Sequence, residues 1–350
     1  MFVLLCLQKM AAVETESPDT LQNLCLSYIV REIVPPSCNC HSSDTSVCHK
    51  HTSNSTVLQK CLQSHNRTFI HNAIADLLIS QMSASRTLND ETMELFQSST
   101  TCLRHVVIRR SPVTAAGLRV LKSHKLVNLA VEPEDPKLLT VTGIIRCLNE
   151  WTKANLRSLS VTGVKFSQAG LPPVIVSLCA LQNLYFLDVS RTDLNDNMLK
   201  IIVDDFPLLE SLDISSTSVE DVTSLSQCRS RLRRLLMYNV RLKDSSSDDV
   251  LRSLSALKVL DISQDPSSYS YTSVQMKSTT AESILKEGSE FHDLVSLDIS
   301  CTHGVTNNLV RYQEWMSFIL VVNQYHNRIM LLNISVASHH NAQHSCLRLK

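Results

Sequence analysis

The sequence predicts an α/β leucine-rich-repeat solenoid, a horseshoe of stacked strand-and-return units preceded by a small helical segment. Three observations predict it. The phrase L-x-x-L-x-Φ recurs at Leu184–Val189, Leu209–Ile214, Leu232–Met237, Leu257–Ile262 and Leu294–Ile299. Weaker copies begin at Leu103, Leu126 and Leu156. Most intervals between copies lie within or near the period of about 20–29 residues that such repeats show. One repeat cannot bury its own apolar face, so stacked neighbours bury each other's Leu and Ile, and the strands line a concave face suited to a binding partner.

The elements follow in order. Residues 1–14 read as a flexible N-terminus, and 15–100 as a helical segment. Within it, residues 15 to about 35 predict a helix. Ser17 is a good N-cap, Pro18 suits the first helical position and Asp19 favours the positive end of the helix dipole. Leu21, Leu24, Cys25, Tyr28 and Ile29 follow the i, i+3, i+4, i+7, i+8 pattern of one helix face, and Pro35-Pro36 stops it. Residues 37–57, rich in Ser, Thr, His and Cys, predict a disordered loop. Two more helices are expected at Asn72–Met82 and Asn89–Gln97. The repeats occupy 101–336. Leu199, Ile202, Val203 and Phe206 form a return helix ended by Pro207. The longest interval, Leu257 to Leu294, holds a polar insertion, Asp265–Thr280, expected as a surface loop. Trp315–Val322 reads as a helix and Met330–Ser335 as a last, degenerate strand. Residues 337–350, with His339, His340 and His344, read as a disordered tail.

Composition narrows the function. The chain has 350 residues, 43% of them hydrophobic, enough for a sizeable core. Lys+Arg 33 balance Asp+Glu 33, so there is no electrostatic footprint for nucleic acid or an anionic membrane surface, and neither is expected as a partner. With Gly 6 and no G-x-x-x-x-G-K, G-x-S-x-G or H-E-x-x-H pattern, no phosphate loop, nucleophile elbow or zincin helix is present. The expectation is a non-enzymatic protein without a cofactor. The 12 cysteines are scattered. Cys147, Cys179 and Cys228 fall inside apolar repeat segments and read as small buried hydrophobes in a reducing, intracellular compartment, cytoplasm or nucleus. Met1–Met10 is apolar but lacks a basic n-region and a cleavage site, and is too short to span a bilayer. Met10 is an alternative start. The sequons at Asn54, Asn66 and Asn333 mean little without a secretory signal.

Several clusters invite a chemical reading. Cys38, Cys40, His41, Cys48, His49 and His51, with Cys61 and His65 beyond, supply enough ligand types for zinc. They lack paired C-x₂-C spacing, so a polar loop without metal is favoured. Asp188, Asp213, Asp261 and Asp298 recur at one repeat position that points to the concave surface. A structural or partner-contacting role is favoured there over acid/base catalysis, which needs a pair in opposed environments. Arg229, Arg231, Arg233 and Arg234 read as a solvated repeat face, with a patch for an acidic partner as the alternative.

The first predicted helix carries a sharper pattern. Thr20-Leu21-Gln-Asn-Leu24-Cys25-Leu-Ser-Tyr-Ile29 fits [STP]-L-x-x-x-C-x-x-x-[AILV], which resembles the BC box that grips elongin C. Leu21, Cys25 and Ile29 form one ridge. A leucine can fill an apolar pocket, and the small Cys25 lets two surfaces close, a helix-in-groove mode. The alternative is a helix packed on the first repeats as a cap. With the repeated Ser-Leu-Asp-Ile-Ser at 211–215 and 296–300, Leu236-Met-Tyr238-Asn239-Val, and Leu257–Asp265, the chain from about Ser17 to Ser300 resembles the zyg-eleven and Zer-one family of substrate receptors for cullin-two RING ubiquitin ligases. The resemblance implies that Leu21, Leu24, Cys25 and Ile29 bind elongin C (with elongin B). It implies a cullin box, Φ-P-x-x-Φ, that selects cullin two. Its best match is Ile70-His71-Asn-Ala-Ile74, with His71 where the proline should be, so proline pre-organisation is lost. The family also implies a C-terminal armadillo-like domain that reads N-terminal glycine degrons. It would begin where the sequence ends, and no degron pocket is carried over. The expected function is the substrate-recognition subunit of a cullin-RING ligase, a non-catalytic part of the ubiquitin conjugation pathway presenting a protein substrate on its repeats. The alternative is a leucine-rich-repeat scaffold unrelated to ubiquitin ligases.

Overall fold

A computed structural model describes residues 72–99, 101–166, 175–243, 245–265, 293–298, 331–334 and 347–348. Among them the strands form one sheet in strict chain order. They are β1 (His105–Ser111), β2 (Asn128–Pro133), β3 (Ser158–Ser160), β4 (Phe186–Asp188), β5 (Ser211–Asp213), β6 (Arg234–Leu236), β7 (Val259–Asp261), β8 (Ser296–Asp298), β9 (Leu331–Ile334) and β10 (Leu347–Arg348). Each strand from β1 to β8 pairs parallel with its successor. This is the predicted leucine-rich-repeat solenoid.

The second leucine of each repeat sets the register. Val106, Leu129, Leu159, Leu187, Leu212, Leu235, Leu260 and Leu297 stand opposite one another on successive strands, and each is at most 1% exposed. A one-residue slip would throw the whole row onto the solvent face, so burial pins the pairing. The first leucines (Leu184, Leu209, Leu232, Leu257) and the Φ positions (Val189, Ile214, Met237, Ile262) are buried with them. Beyond each short strand the ladder continues through the backbone: Val189 N–H donates to the Asp213 carbonyl at 2.9 Å, and Ile214 N–H to that of Leu236 at 2.9 Å.

Four residues after the ladder position the chain enters the left-handed region, at Arg110 (φ 48), Gly163 (φ 72), Arg191 (φ 57), Ser216 (φ 55) and Asn239 (φ 56). From Gly163 onward each such N–H donates to the next turn of the solenoid, for example Arg191 to Ser215 O at 2.9 Å and Ser216 to Tyr238 O at 2.7 Å. These interturn bonds offset the cost, roughly 1–2 kcal/mol, of a side chain in this conformation. Only Gly163 avoids it.

The returns are of two kinds, α-helical and 3₁₀. Helices serve at α3 (Ala115–Leu118), α4 (Val141–Arg146), α5 (Glu150–Asn155), α6 (Asp196–Asp205) and α7 (Ser245–Arg252), after α1 (Asn72–Ala84) and α2 (Asp90–Met93). The returns Ile175–Ala180 and Thr223–Cys228 are 3₁₀ turns. A 3₁₀ turn rises about 2.0 Å per residue against about 1.5 Å for an α-helix, so it crosses the same gap with fewer residues. The helices start on polar caps: Asn149 accepts from Thr152 N–H, Asn195 from Met198 N–H, and Asn89 forms a reciprocal capping box with Thr92.

The amino-terminal end is closed by α1 and α2. Ala75, Leu78, Ile79, Met82 and Ser83 make the buried stripe of α1. The predicted helices at Asn72–Met82 and Asn89–Gln97 are found, the second as α2 followed by a 3₁₀ turn, Glu94–Phe96. Gly117 lets α3 approach α2, since a Cβ there would stand 2.4 Å from Asp90 Oδ1. That carboxylate accepts from Thr114 N–H at 2.7 Å and Thr114 Oγ1 at 2.6 Å. His124 is 2% exposed. Its Nδ1 accepts from Leu103 N–H at 3.2 Å, so Nε2 carries the proton and donates to Phe96 O at 2.6 Å.

At the other end, Met330–Ser335 contains the expected strand, β9. The tail holds β10, where the sequence reading expects disorder: Leu347 and Arg348 pair antiparallel with Ile334 and Asn333. An edge strand presents unpaired backbone groups that another segment can satisfy. The helix expected at Trp315–Val322 and nearly all of the 265–280 loop lie outside the described residues. Among the described residues no helix is long and apolar enough to cross a membrane.

Candidate functional site

The three-residue strands place one buried residue between two that face the concave surface, because side chains alternate along a strand. The position after the ladder leucine therefore forms a row across the concave face: Asp188 and Asp213 on adjacent strands, then Leu236, then Asp261 and Asp298. The residue before it contributes Phe186, Ser211, Arg234 and Val259. The concave placement expected for the repeated aspartates is found.

These carboxylates are first of all structural. Asp188 Oδ1 accepts from Ser190 N–H at 3.0 Å, Asp213 Oδ1 from Ser215 N–H at 2.9 Å and Asp261 Oδ1 from Ser263 N–H at 2.9 Å. This i to i+2 turn ends each strand, which is why the D-Φ-S phrase repeats. Asp188 Oδ2 also ties β4 to the preceding repeat, accepting from Ser160 Oγ at 2.7 Å and Thr162 Oγ1 at 2.9 Å.

Electrostatics adds a second property. Burial raises the Asp213 pKa above its ordinary value, the charges of Asp188 and Asp261 raise it further, and the Ser215 bonds oppose. Burial likewise raises Asp261, with the Asp298 charge adding, while the Ser263 bonds and the Arg234 charge oppose. Both move the same way for the same causes, which is not the split environment of an acid/base pair. The row is a negative stripe interrupted by Leu236.

The arginine run divides. Arg233 pairs with Glu210 at 3.2 Å on the surface, and Arg234 is exposed on the concave side of β6. Arg231 departs from the solvated reading. It is half-buried and donates from Nη2 to Val203 O at 3.0 Å, tying one return to the end of α6. The cysteines divide too. Cys147 and Cys228 are buried and free, as expected of small hydrophobes. Cys179 is not: it is partly exposed and donates to Asp205 Oδ2 at 2.7 Å. Burial, with the Asp205 bond and charge, pushes its thiol up to about 11.

Of the residues named for adaptor binding, Leu21, Leu24, Cys25 and Ile29 lie outside the described residues, as do Ile70, His71 and the Cys/His run from Cys38 to His65. Ile74 is described. It stands 47% exposed on α1, beside Leu77 at 39%. The two share one face, opposite the stripe that packs on the repeats.

One feature escaped sequence reading. An open depression of about 350 Å³ lies at the amino-terminal end, lined by Ser83, Ala84, Arg86, Arg109, Arg110 and Glu132. The visible signal was Arg109-Arg110 before Pro112, which breaks strand alternation.

The parallel sheet, the buried leucine ladder and the polar concave face define a leucine-rich-repeat solenoid, a class of protein-interaction fold. No protein-family model matches the chain. Among solved structures it is similar to an internalin from Listeria monocytogenes, at 15% identity over 74% of this chain and 72% of that one, TM-score 0.39. It is similar to TLR13 in its complex with ssRNA13, at 14% identity over 57% of this chain and 29% of that one, TM-score 0.36. It is also similar to a chain of the yeast Rad7 and Elc1 complex, at 12% identity over 94% of this chain and 96% of that one, TM-score 0.33. Likenesses at this level say nothing of what this chain binds.

Proposed function

We propose that this protein is a non-enzymatic, intracellular substrate receptor of a cullin-RING ubiquitin ligase. In this reading Leu21 anchors the first helix in a pocket of elongin C, with Leu24, Cys25 and Ile29 beside it. Ile70, His71 and Ile74 face the cullin, and a protein substrate rests on the concave sheet. The receptor acts by raising the substrate's local concentration near the ligase.

The observation that carries the reading is the order of motifs: the Thr20–Ile29 pattern, then a short helical region, then repeats reading S-L-D-I-S. Ile74 and Leu77 lend support, because two large apolar side chains exposed together on a helix that caps a solenoid are suited to a partner. The plain scaffold remains the second reading, favoured by the same helix. Asp76 Oδ1 accepts from Arg104 N–H at 3.0 Å and Ser83 Oγ from Arg109 N–H at 2.6 Å, so α1 caps the sheet on its own account.

The test is affinity purification of the wild type beside Leu21→Ala. Truncating a central anchor should weaken adaptor binding by about 2 kcal/mol or more. Elongins and a cullin should come down with the wild type and be depleted with the variant. Equal recovery of elongin C in both, or recovery in neither, removes the ligase reading and leaves the scaffold.

A further inference from the structure

We propose that the depression at the amino-terminal end of the sheet is a binding pocket for a phosphorylated side chain of a partner protein. The inference goes beyond the ligase reading and does not depend on it, since a receptor and a scaffold could both use the pocket.

Two departures from regular backbone build it. On β1 the register jumps between Arg109, opposite Glu132, and Ser111, opposite Pro133. Arg110 is the extra residue, at φ 48. Neighbouring side chains on a regular strand point to opposite faces, and a bulge of this kind re-aims them. Arg109 and Arg110 consequently line the same depression. The third arginine follows α1. Ser85 N–H donates to Gln81 O at 2.9 Å and Arg86 N–H to Ser83 O at 3.0 Å. Arg86 itself, at φ 58, occupies the left-handed position after a helix end where glycine is usual. Two arginines thus hold a conformation that disfavours any side chain, and they hold it at one place. Arg110 takes the left-handed position that recurs at Gly163, Arg191, Ser216 and Asn239, and what is particular to it is the bulge that sets it beside Arg109.

The floor is rigid. Ser83 and Ser111 are at most 2% exposed and face each other at 3.2 Å. Ser83 Oγ also meets the Arg109 backbone, at 2.6 Å to its nitrogen and 3.1 Å to its carbonyl oxygen. Above this floor the charge is unbalanced. Arg110 Nε pairs with Glu132 Oε1 at 3.3 Å. Neither Arg86 nor Arg109 has an ion-pair partner among the described residues.

Two unmatched guanidinium groups suit a phosphate monoester, with about −1.5 to −2 charge and three acceptor oxygens. A carboxylate would leave one of them unmatched. The planar guanidinium donates to phosphate in pairs. The site is a single depression on a chain with no net charge, not a groove that tracks a nucleic-acid backbone. It lies at β1, first in the order of the sheet, where Arg109 stands opposite Glu132 of β2.

The experiment uses the full chain, immobilised, with a degenerate nonapeptide library bearing a fixed central phosphoserine and its unphosphorylated twin. The phosphorylated library should be retained and the twin not. Arg86→Gln with Arg109→Gln should lower retention about tenfold or more, since charge-assisted bonds are lost, and Glu132→Gln should raise it by freeing Arg110. The arginines are exposed, so thermal melting of the variants should match the wild type. Equal retention of both libraries, retention of neither, or retention unchanged in the arginine variant overturns the proposal. So does stronger competition by oligouridylate than by the free phosphopeptides.

Discussion

The first turns of the solenoid and its middle turns solve the same stacking problem with different means. From β4 to β7 each rung repeats one solution: a buried leucine, a concave aspartate on three rungs of four, and a serine N–H or its equivalent closing the strand. Between α1 and β2 the strands are longer, and polar side chains reach across elements to single backbone groups. Ser83 serves Arg109, Asp90 serves Thr114, and His124 serves both Leu103 and Phe96. A repeat needs only a neighbour like itself, whereas β1, first among the described strands, pairs with β2 alone and is stitched to α1. The first turns are therefore held by particular contacts, and the middle by a periodic one.

The largest expected effect tests the periodic side. Leu212→Ala removes a buried rung from the ladder and should cost about 2–5 kcal/mol, read as a lower urea midpoint. A loss under about 1 kcal/mol would mean that the middle turns do not depend on their leucine row. His124→Ala tests the stitched end. It removes the partner of Leu103 N–H and Phe96 O, and with water able to enter the space left by the ring the cost should be about 1–3 kcal/mol in all. It should also change the response to acid. Burial lowers the His124 pKa below 6.5, opposed by the Phe96 bond and the Asp76 charge. The folded state thus binds the proton less readily than the unfolded chain. The stability that neutral His124 contributes is complete above the unfolded value and is lost as pH falls through the folded one. Wild-type and variant urea curves should approach each other on acidification, and a constant gap would show that His124 is not held neutral. The smallest effect lies on the aspartate stripe. Asp213 has a raised pKa, so its charged form is disfavoured in the fold. That penalty is absent below the unfolded pKa and appears as pH rises through the folded one. Asp213→Asn keeps an oxygen for Ser215 N–H and removes the charge. It should raise Tm by about 1–2 °C at neutral pH, and the gain should vanish once Asp213 is protonated. A loss at neutral pH would show that the stripe stabilises its own fold.

Much of the middle was readable before any coordinates. The L-x-x-L-x-Φ phrase placed Leu187, Leu212, Leu235 and Leu260 in the core and Asp188, Asp213 and Asp261 on the concave face, because a period of two leaves no other arrangement for a half-buried strand. The stripe of α6 and its end at Pro207 were equally plain. The readings that changed concern residues whose role depends on a distant partner. Cys179 looks like Cys228 in sequence, yet Cys179 is partly exposed and donates to Asp205, while Cys228 is buried beside Arg231. Arg231 looks like the arginines around it, yet it alone reaches Val203 O. The 3₁₀ returns hide because a six-residue run, apolar at Ile175–Ala180 and largely polar at Thr223–Cys228, does not state its own rise per residue.

What the sequence determined alone is the repeat: its register, its buried row and its concave row, all consequences of local periodicity matched between like neighbours. What only the tertiary structure decided is how the amino-terminal end closes. The bulge at Arg110, the turn at Arg86 and the serine floor beneath them arise where α1 meets β1. Contacts between unlike segments follow no period, and so leave no periodic mark in the chain.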